Sequence, residues 1–189
     1  MTRIGILGDI GSGKSYVARN FGYPIFNADN EVGLLYKKNI KVFTQLKKVL
    51  PKYFHSFPIN KEDVANAILA NDSNLKKIVK IVHFEIRNKL FLFLKKNKNK
   101  KLVILDIPLL LENKLNKKND ILIFVESKKL DILKRLKKRR NFNQKLLNKF
   151  KKIQLSSNYK KKKSQFTIKN NFTKKSIKYA VKKILEEII

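Results

Sequence analysis

The sequence predicts an α/β fold with a mainly parallel sheet. Short apolar runs at Ile4–Leu7, Leu102–Leu105 and Ile121–Val125 lack the alternation of half-exposed strands and suit strands covered on both faces. Stretches of helical periodicity separate them, which is the pattern of βαβ units. A glycine-rich turn joins the first run to the first helical segment, as in α/β ligand sites.

Each element follows in order. Arg3-Ile4-Gly5-Ile6-Leu7 reads as a buried strand, and Lys14 to Phe21 as a helix after the turn. Pro24-Ile25-Phe26-Asn27 reads as a second short strand, with helices expected at about 29–38 and 40–50. Asn60 or Lys61 begins another helix, with Glu62 and Asp63 in its first turn, where acids suit the helix dipole. Asp72 and Ser73 open a long helix. Its Leu75, Ile78, Val79, Val82, Ile86, Leu90 and Leu94 share one apolar face. Strands are expected at 102–105 and 121–125, a helix at about 128–138, a last strand at Phe166-Thr167-Ile168 and a closing helix at 173–188.

The 189 residues suffice for one domain with a core. Lys and Arg number 45 against 14 Asp and Glu, a net charge of +31, so a polyanion is the first partner class to weigh. A hydrophobic content of 43% excludes a basic disordered tail. Only six of the basic residues are Arg, the residue that reads bases by bidentate contacts. Abundant Lys, Asn, Ile and Phe share A/T-rich codons, so the charge reads as compositional background. Residues 1–36 carry no net charge, and 132–185 hold no acid. Runs such as Lys160–Lys163 are expected to face solvent. With no Cys, disulfides, zinc-thiolate sites and thiol catalysis are excluded. No apolar run is long enough for a transmembrane helix and the start lacks a signal-peptide layout, so a cytoplasmic protein is expected.

Gly8-Asp9-Ile10-Gly11-Ser12-Gly13-Lys14-Ser15 fits G-x-x-x-x-G-K-[ST] at every fixed position, between a strand and a helix. Gly8, Gly11 and Gly13 let the backbone wrap closely and aim N–H groups at phosphate oxygens, Ser12 among them. The helix beginning there adds its positive end. Lys14 is expected to reach the β and γ phosphates, and the Ser15 hydroxyl to ligate Mg²⁺. The pattern predicts a P-loop NTPase fold with Mg·ATP as cosubstrate.

Three further stretches narrow the acceptor: Asn27-Ala28-Asp29, His83-Phe84-Glu85-Ile86-Arg87 and Asp106-Ile107-Pro108-Leu109-Leu110-Leu111-Glu112. Together with Arg135-Leu136-Lys137-Lys138-Arg139, Gln154 and Asn170, they make the chain resemble the dephospho-CoA kinases from about residue 3 to 185. Tyr16, Asn27, Gly33 and Phe84 depart from that family's usual residues, and Lys is frequent in the lid. The resemblance implies transfer of the ATP γ-phosphate to the ribose 3′-hydroxyl of dephospho-CoA. It also implies a core at about 1–36, 100–136 and 164–189, a helical acceptor-binding insert at about 37–99 and a lid at about 137–163.

The resemblance assigns roles. Asp29 would accept or orient the acceptor's proton; from the residues alone an N-cap for a helix starting at about residue 30 is the better fit. Arg139 would neutralise charge in transfer, with Arg140 as the adjacent candidate. The backbone N–H of Tyr16 would face the α-phosphate, and Asn170 would bind the nucleotide. His83 and Arg87, one helical turn apart, would approach the acceptor; His83 equally fits a structural hydrogen-bonding role. Asp106 would hold a Mg²⁺ water or cap the turn after it, and Glu112 fits an ordinary helix position. Dephospho-CoA and ATP are the expected partners, with no membrane, and the chain is expected to be a monomer. The rivals are a P-loop kinase of nucleosides or nucleotides and a nucleic-acid-binding ATPase. Against the latter, no aromatic-basic RNA motif is evident.

Overall fold

A computed structural model describes residues 1–139 and 142–189. Arg140, the alternative to Arg139, lies outside the described residues. The chain divides into two compact units. The first comprises Met1–Asn27, Lys96–Phe142 and Ile153–Ile189; the second comprises Ala28–Lys95 and Asn143–Lys152.

The first unit holds a sheet of five strands, all parallel, in the order β2-β3-β1-β4-β5. They are β1 (Thr2–Gly8), β2 (Ile25–Asn27), β3 (Leu102–Asp106), β4 (Ile121–Glu126) and β5 (Phe166–Lys169). The continuous apolar runs have the reason expected of them, since β3 is buried along its whole length. On one face Ile4 and Ile6 of β1 meet Val17 and Ala18 of α1 (Lys14–Asn20) and Ile177, Val181 and Ile184 of α9 (Lys174–Ile188). On β1 itself Gly5 allows close packing, because an added Cβ would lie 2.5 Å from Leu110 Cδ2.

Strand order positions the site. Neighbours β1 and β4 send their outgoing connections toward opposite edges of the sheet, to β2 and β5. A crevice at the carboxyl ends of such strands is where open α/β sheets bind ligands, and the Gly8–Gly13 loop starts there.

The second unit is helical, with α2 (Ala28–Lys38), α3 (Ile40–Val49), α4 (Lys61–Ala70), most of α5 (Asp72–Lys96) and α7 (Gln144–Lys152). Asn39 caps α3 by accepting from the Val42 N–H, and Asn60 caps α4 by accepting from the Glu62 N–H. Glu31 of α2 pairs with Lys89 of α5 at 2.9 Å. Lys149 of α7 donates to Asp72 at 2.7 Å and to the Ile68 carbonyl at 2.8 Å.

Two expectations are corrected. Residues 137–163 contain α7 and, in the first unit, α8 (Ser157–Lys163). Within α8, Lys161, Lys162 and Lys163 face solvent but Lys160 is buried. Glu112 lies in successive turns rather than a helix, and its Oε1 accepts the Leu155 N–H at 2.9 Å. Among the described residues no helix is long and apolar enough to cross a membrane.

Candidate active site

The loop between β1 and α1 is built for close approach. Gly13 sits at φ +90°, and a Cβ there would come within 2.3 Å of Asn170 Nδ2. At Gly8 a Cβ would stand 2.7 Å from both Ser12 Oγ and the Val125 carbonyl. No L side chain fits either position. From outside, Ile132 and Leu136 of α6 (Lys129–Lys137) close on the turn at Gly11.

Two strand ends brace this loop. The Ser12 carbonyl accepts from Ser127 Oγ at 2.9 Å, just past β4, and from Asn170 Nδ2 at 2.8 Å, just past β5. Asn170 Oδ1 in turn accepts the Phe172 N–H at 2.8 Å. The buried Ser12 Oγ has no hydrogen-bond partner among the described residues. A buried, unpartnered hydroxyl on a glycine-rich loop suits a phosphate oxygen. Lys14 Nζ folds over the loop and donates to the Gly8 and Asp9 carbonyls, at 3.1 and 2.8 Å. Ser15 lies in the first turn of α1, half-buried. The Tyr16 N–H donates to the Gly13 carbonyl at 3.0 Å.

Asp106 ends β3 and is buried, and Asn27 Nδ2 donates to its carboxylate. Asn27, where the resembling family has Asp, thus keeps a second negative charge away from Asp106. Among the described residues no group of three or more His, Cys, Asp or Glu forms a metal site by itself. A hydroxyl and one carboxylate beside a triphosphate are a donor set that fits Mg²⁺, which keeps waters and takes phosphate oxygens.

Arg139 is exposed, just past α6, its N–H bonded to the Leu136 carbonyl at 3.0 Å. Two neighbours of the loop had no assigned role from sequence. The Arg135 guanidinium lies over the Phe172 ring, 4.2 Å from its centroid, and Phe172 Cε1 is 3.4 Å from where a Gly13 Cβ would stand. In the sequence Arg135 opens the Arg135–Arg139 stretch and Phe172 follows Asn170 by two residues, and neither position by itself marks the pair.

The second unit carries the other candidates. Asp29 is exposed in the first turn of α2, which begins at Ala28, so Asp29 is not the cap. His83 and Arg87 lie on α5, with Arg87 exposed and His83 half-buried. Burial first, and then the charge of Arg87, hold the His83 pKa below its ordinary value.

The model of the dephospho-CoA kinase family matches residues 2–176. A dephospho-CoA kinase of Wolbachia pipientis wMel is 33% identical over 190 residues, covering 98% of this chain and 97% of that one. A crystal structure of TT1252 from Thermus thermophilus superposes with a TM-score of 0.76 at 24% identity, covering 100% of this chain and 98% of that one. A dephospho-CoA kinase from Campylobacter jejuni superposes with a TM-score of 0.62 at 21% identity, covering 99% and 97%. A match that runs from the first residue of β1 into α9 takes in the phosphate loop and the strand ends that brace it, and this chain belongs to the dephospho-CoA kinase family.

Proposed function

We propose that this chain transfers the γ-phosphate of ATP to the ribose 3′-hydroxyl of dephospho-CoA, giving ADP and coenzyme A. The family supports the reaction. The observation that carries the nucleotide half is the braced loop, with its buried, unpartnered Ser12 hydroxyl and with Lys14 folded over it.

Lys14 exchanges loop carbonyls for phosphate oxygens when ATP binds, and follows the charge that develops in transfer. Arg135 and Phe172 offer a flat surface to the nucleobase. Ser15 and Asp106 would hold Mg²⁺, which would supply positive charge to offset that of the phosphates. Asp29 accepts the proton of the attacking hydroxyl, and Arg139 stabilises the transferring group. Arg87 pairs with acceptor phosphates, and His83 orients nearby groups. The helical unit takes the acceptor.

The test is ADP release from Mg·ATP with dephospho-CoA, with nucleosides and nucleotides, and with single-stranded RNA. Dephospho-CoA is expected to stimulate release strongly, with the product carrying its new phosphate at the 3′ position by NMR. Stimulation by RNA alone, or by a nucleoside in preference to dephospho-CoA, overturns this reading.

A further inference from the structure

The phosphate loop of this chain contains an acid. Asp9 follows Gly8 directly, inside a loop whose task is to receive a polyanion. A fixed negative charge there opposes the binding of a polyanion by like-charge repulsion. Some group must offset it.

Helix α8 supplies that group. Ser157 and Lys160 are three residues apart and share a helix face. Ser157 Oγ lies 2.6 and 2.8 Å from the two Asp9 carboxylate oxygens and holds the carboxylate in place. Lys160 Nζ stands 3.7 Å from Asp9 Oδ1 and 4.0 Å from Glu112 Oε1. The Lys160 side chain is 2% exposed, and its ammonium has no hydrogen-bond partner among the described residues. A buried lysine that fastens a fold uses its donors on nearby acceptors. Lys160 does not, so its contribution is its field. Asp9 and Glu112 carry two negative charges; Lys160 and Lys14, which holds the Asp9 carbonyl, carry two positive ones. Without Lys160, only Lys14 of these four groups is left to set against the Asp9 and Glu112 carboxylates.

We propose that Lys160 is a positioning residue for nucleotide binding: its buried ammonium neutralises the Asp9 carboxylate so that the phosphate loop accepts a triphosphate. The inference rests on the nucleotide half of the proposed function. Its test therefore measures Mg·ATP binding without any acceptor, by calorimetry, so a wrong acceptor assignment leaves the readout untouched.

Lys160→Met and Lys160→Gln are expected to weaken Mg·ATP binding by about tenfold or more, and Lys160→Arg by less than about threefold. Adding Asp9→Asn to Lys160→Met is expected to restore most of the lost affinity, because the charge that needed balancing is gone. In turnover assays the loss falls on KM for ATP and not on KM for dephospho-CoA. Unchanged ATP affinity in the neutral variants overturns the proposal, as does a loss that Asp9→Asn fails to recover. Neutral variants that unfold also overturn it, since they would make Lys160 a fastener of the fold.

Discussion

Asn170 and Ser12 are 158 residues apart in sequence, and the Asn170 amide donates to the Ser12 carbonyl at 2.8 Å. The same side chain accepts the Phe172 N–H. Asn170 thus ties the loop to the segment that carries the aromatic beside it. Asn170→Ala leaves these groups unpaired in a buried place, at about 2 kcal/mol of stability. Nucleotide affinity is expected to fall about tenfold as the loop loosens. Thermal melts and ATP titrations check the two effects together; a stability loss with unchanged ATP affinity would remove Asn170 from the site.

Gly13→Ala tests the same contact from the other side. Its φ of +90° disfavours any side chain, and its Cβ would strike Asn170 Nδ2. The backbone strain alone is worth about 1–3 kcal/mol. ATP binding is expected to be lost while the helical unit keeps its secondary structure, as read by nucleotide titration and circular dichroism.

How legible all this was depends on which physical signal each residue leaves. Strands buried on both faces leave unbroken apolar runs, so β1, β3 and β4 were readable within a residue or so. The phosphate loop was readable because its spacing follows from one geometry. Helices α7 and α8 were not, because lysines dominate them. In α7, Leu147 is buried amid solvent-facing Lys, and in α8 the one buried long side chain is itself a Lys. A run of four lysines gives no sign of which one turns inward. Ser127, Arg135 and Phe172 were missed as loop neighbours for another reason. Their partners lie far away in sequence, and only the strand order brings them to the loop.

Arg3 lies at the start of β1, remote along the strand from the phosphate loop. It donates to Asp120 Oδ2 at 2.9 Å and to the Leu115 carbonyl at 3.0 Å, with both side chains of the ion pair buried. Removing one partner of a buried pair leaves an uncompensated charge. Arg3→Met is expected to lose about 3 kcal/mol of stability, while kcat and KM of the folded fraction stay near wild type. Denaturant melts beside steady-state kinetics separate the two; a selective fall in kcat would contradict this placement.

His83 makes stability depend on pH. Its folded pKa lies below the ordinary value of 6.5, chiefly from burial and then from Arg87. As pH falls, the unfolded chain takes up the proton first. The contribution of His83 is therefore intact above pH 6.5 and is lost as pH drops through that value toward the folded pKa. His83→Gln has no such group. Wild-type Tm should fall further than that of His83→Gln between about pH 7.5 and about pH 5.5. Parallel curves for the two proteins would show that His83 does not carry the effect; His55 is common to both.

Asp29 is the proposed acceptor of the proton in the transfer step. It is exposed in the first turn of α2, two residues beyond the end of β2, where a carboxylate also favours the positive end of the helix. Asp29→Asn keeps the shape and removes the carboxylate. The dipole contribution lost is about 0.5 kcal/mol, too little to unfold the chain. ATP binding, which depends on the braced loop of the other unit, is expected to stay within about threefold. Turnover with dephospho-CoA is expected to fall about a hundredfold or more, the usual contribution of a positioned proton acceptor. Because binding and chemistry are read separately, the outcome is decisive. Near wild-type kcat in Asp29→Asn assigns the proton to another group, and lost ATP affinity makes Asp29 a nucleotide ligand instead.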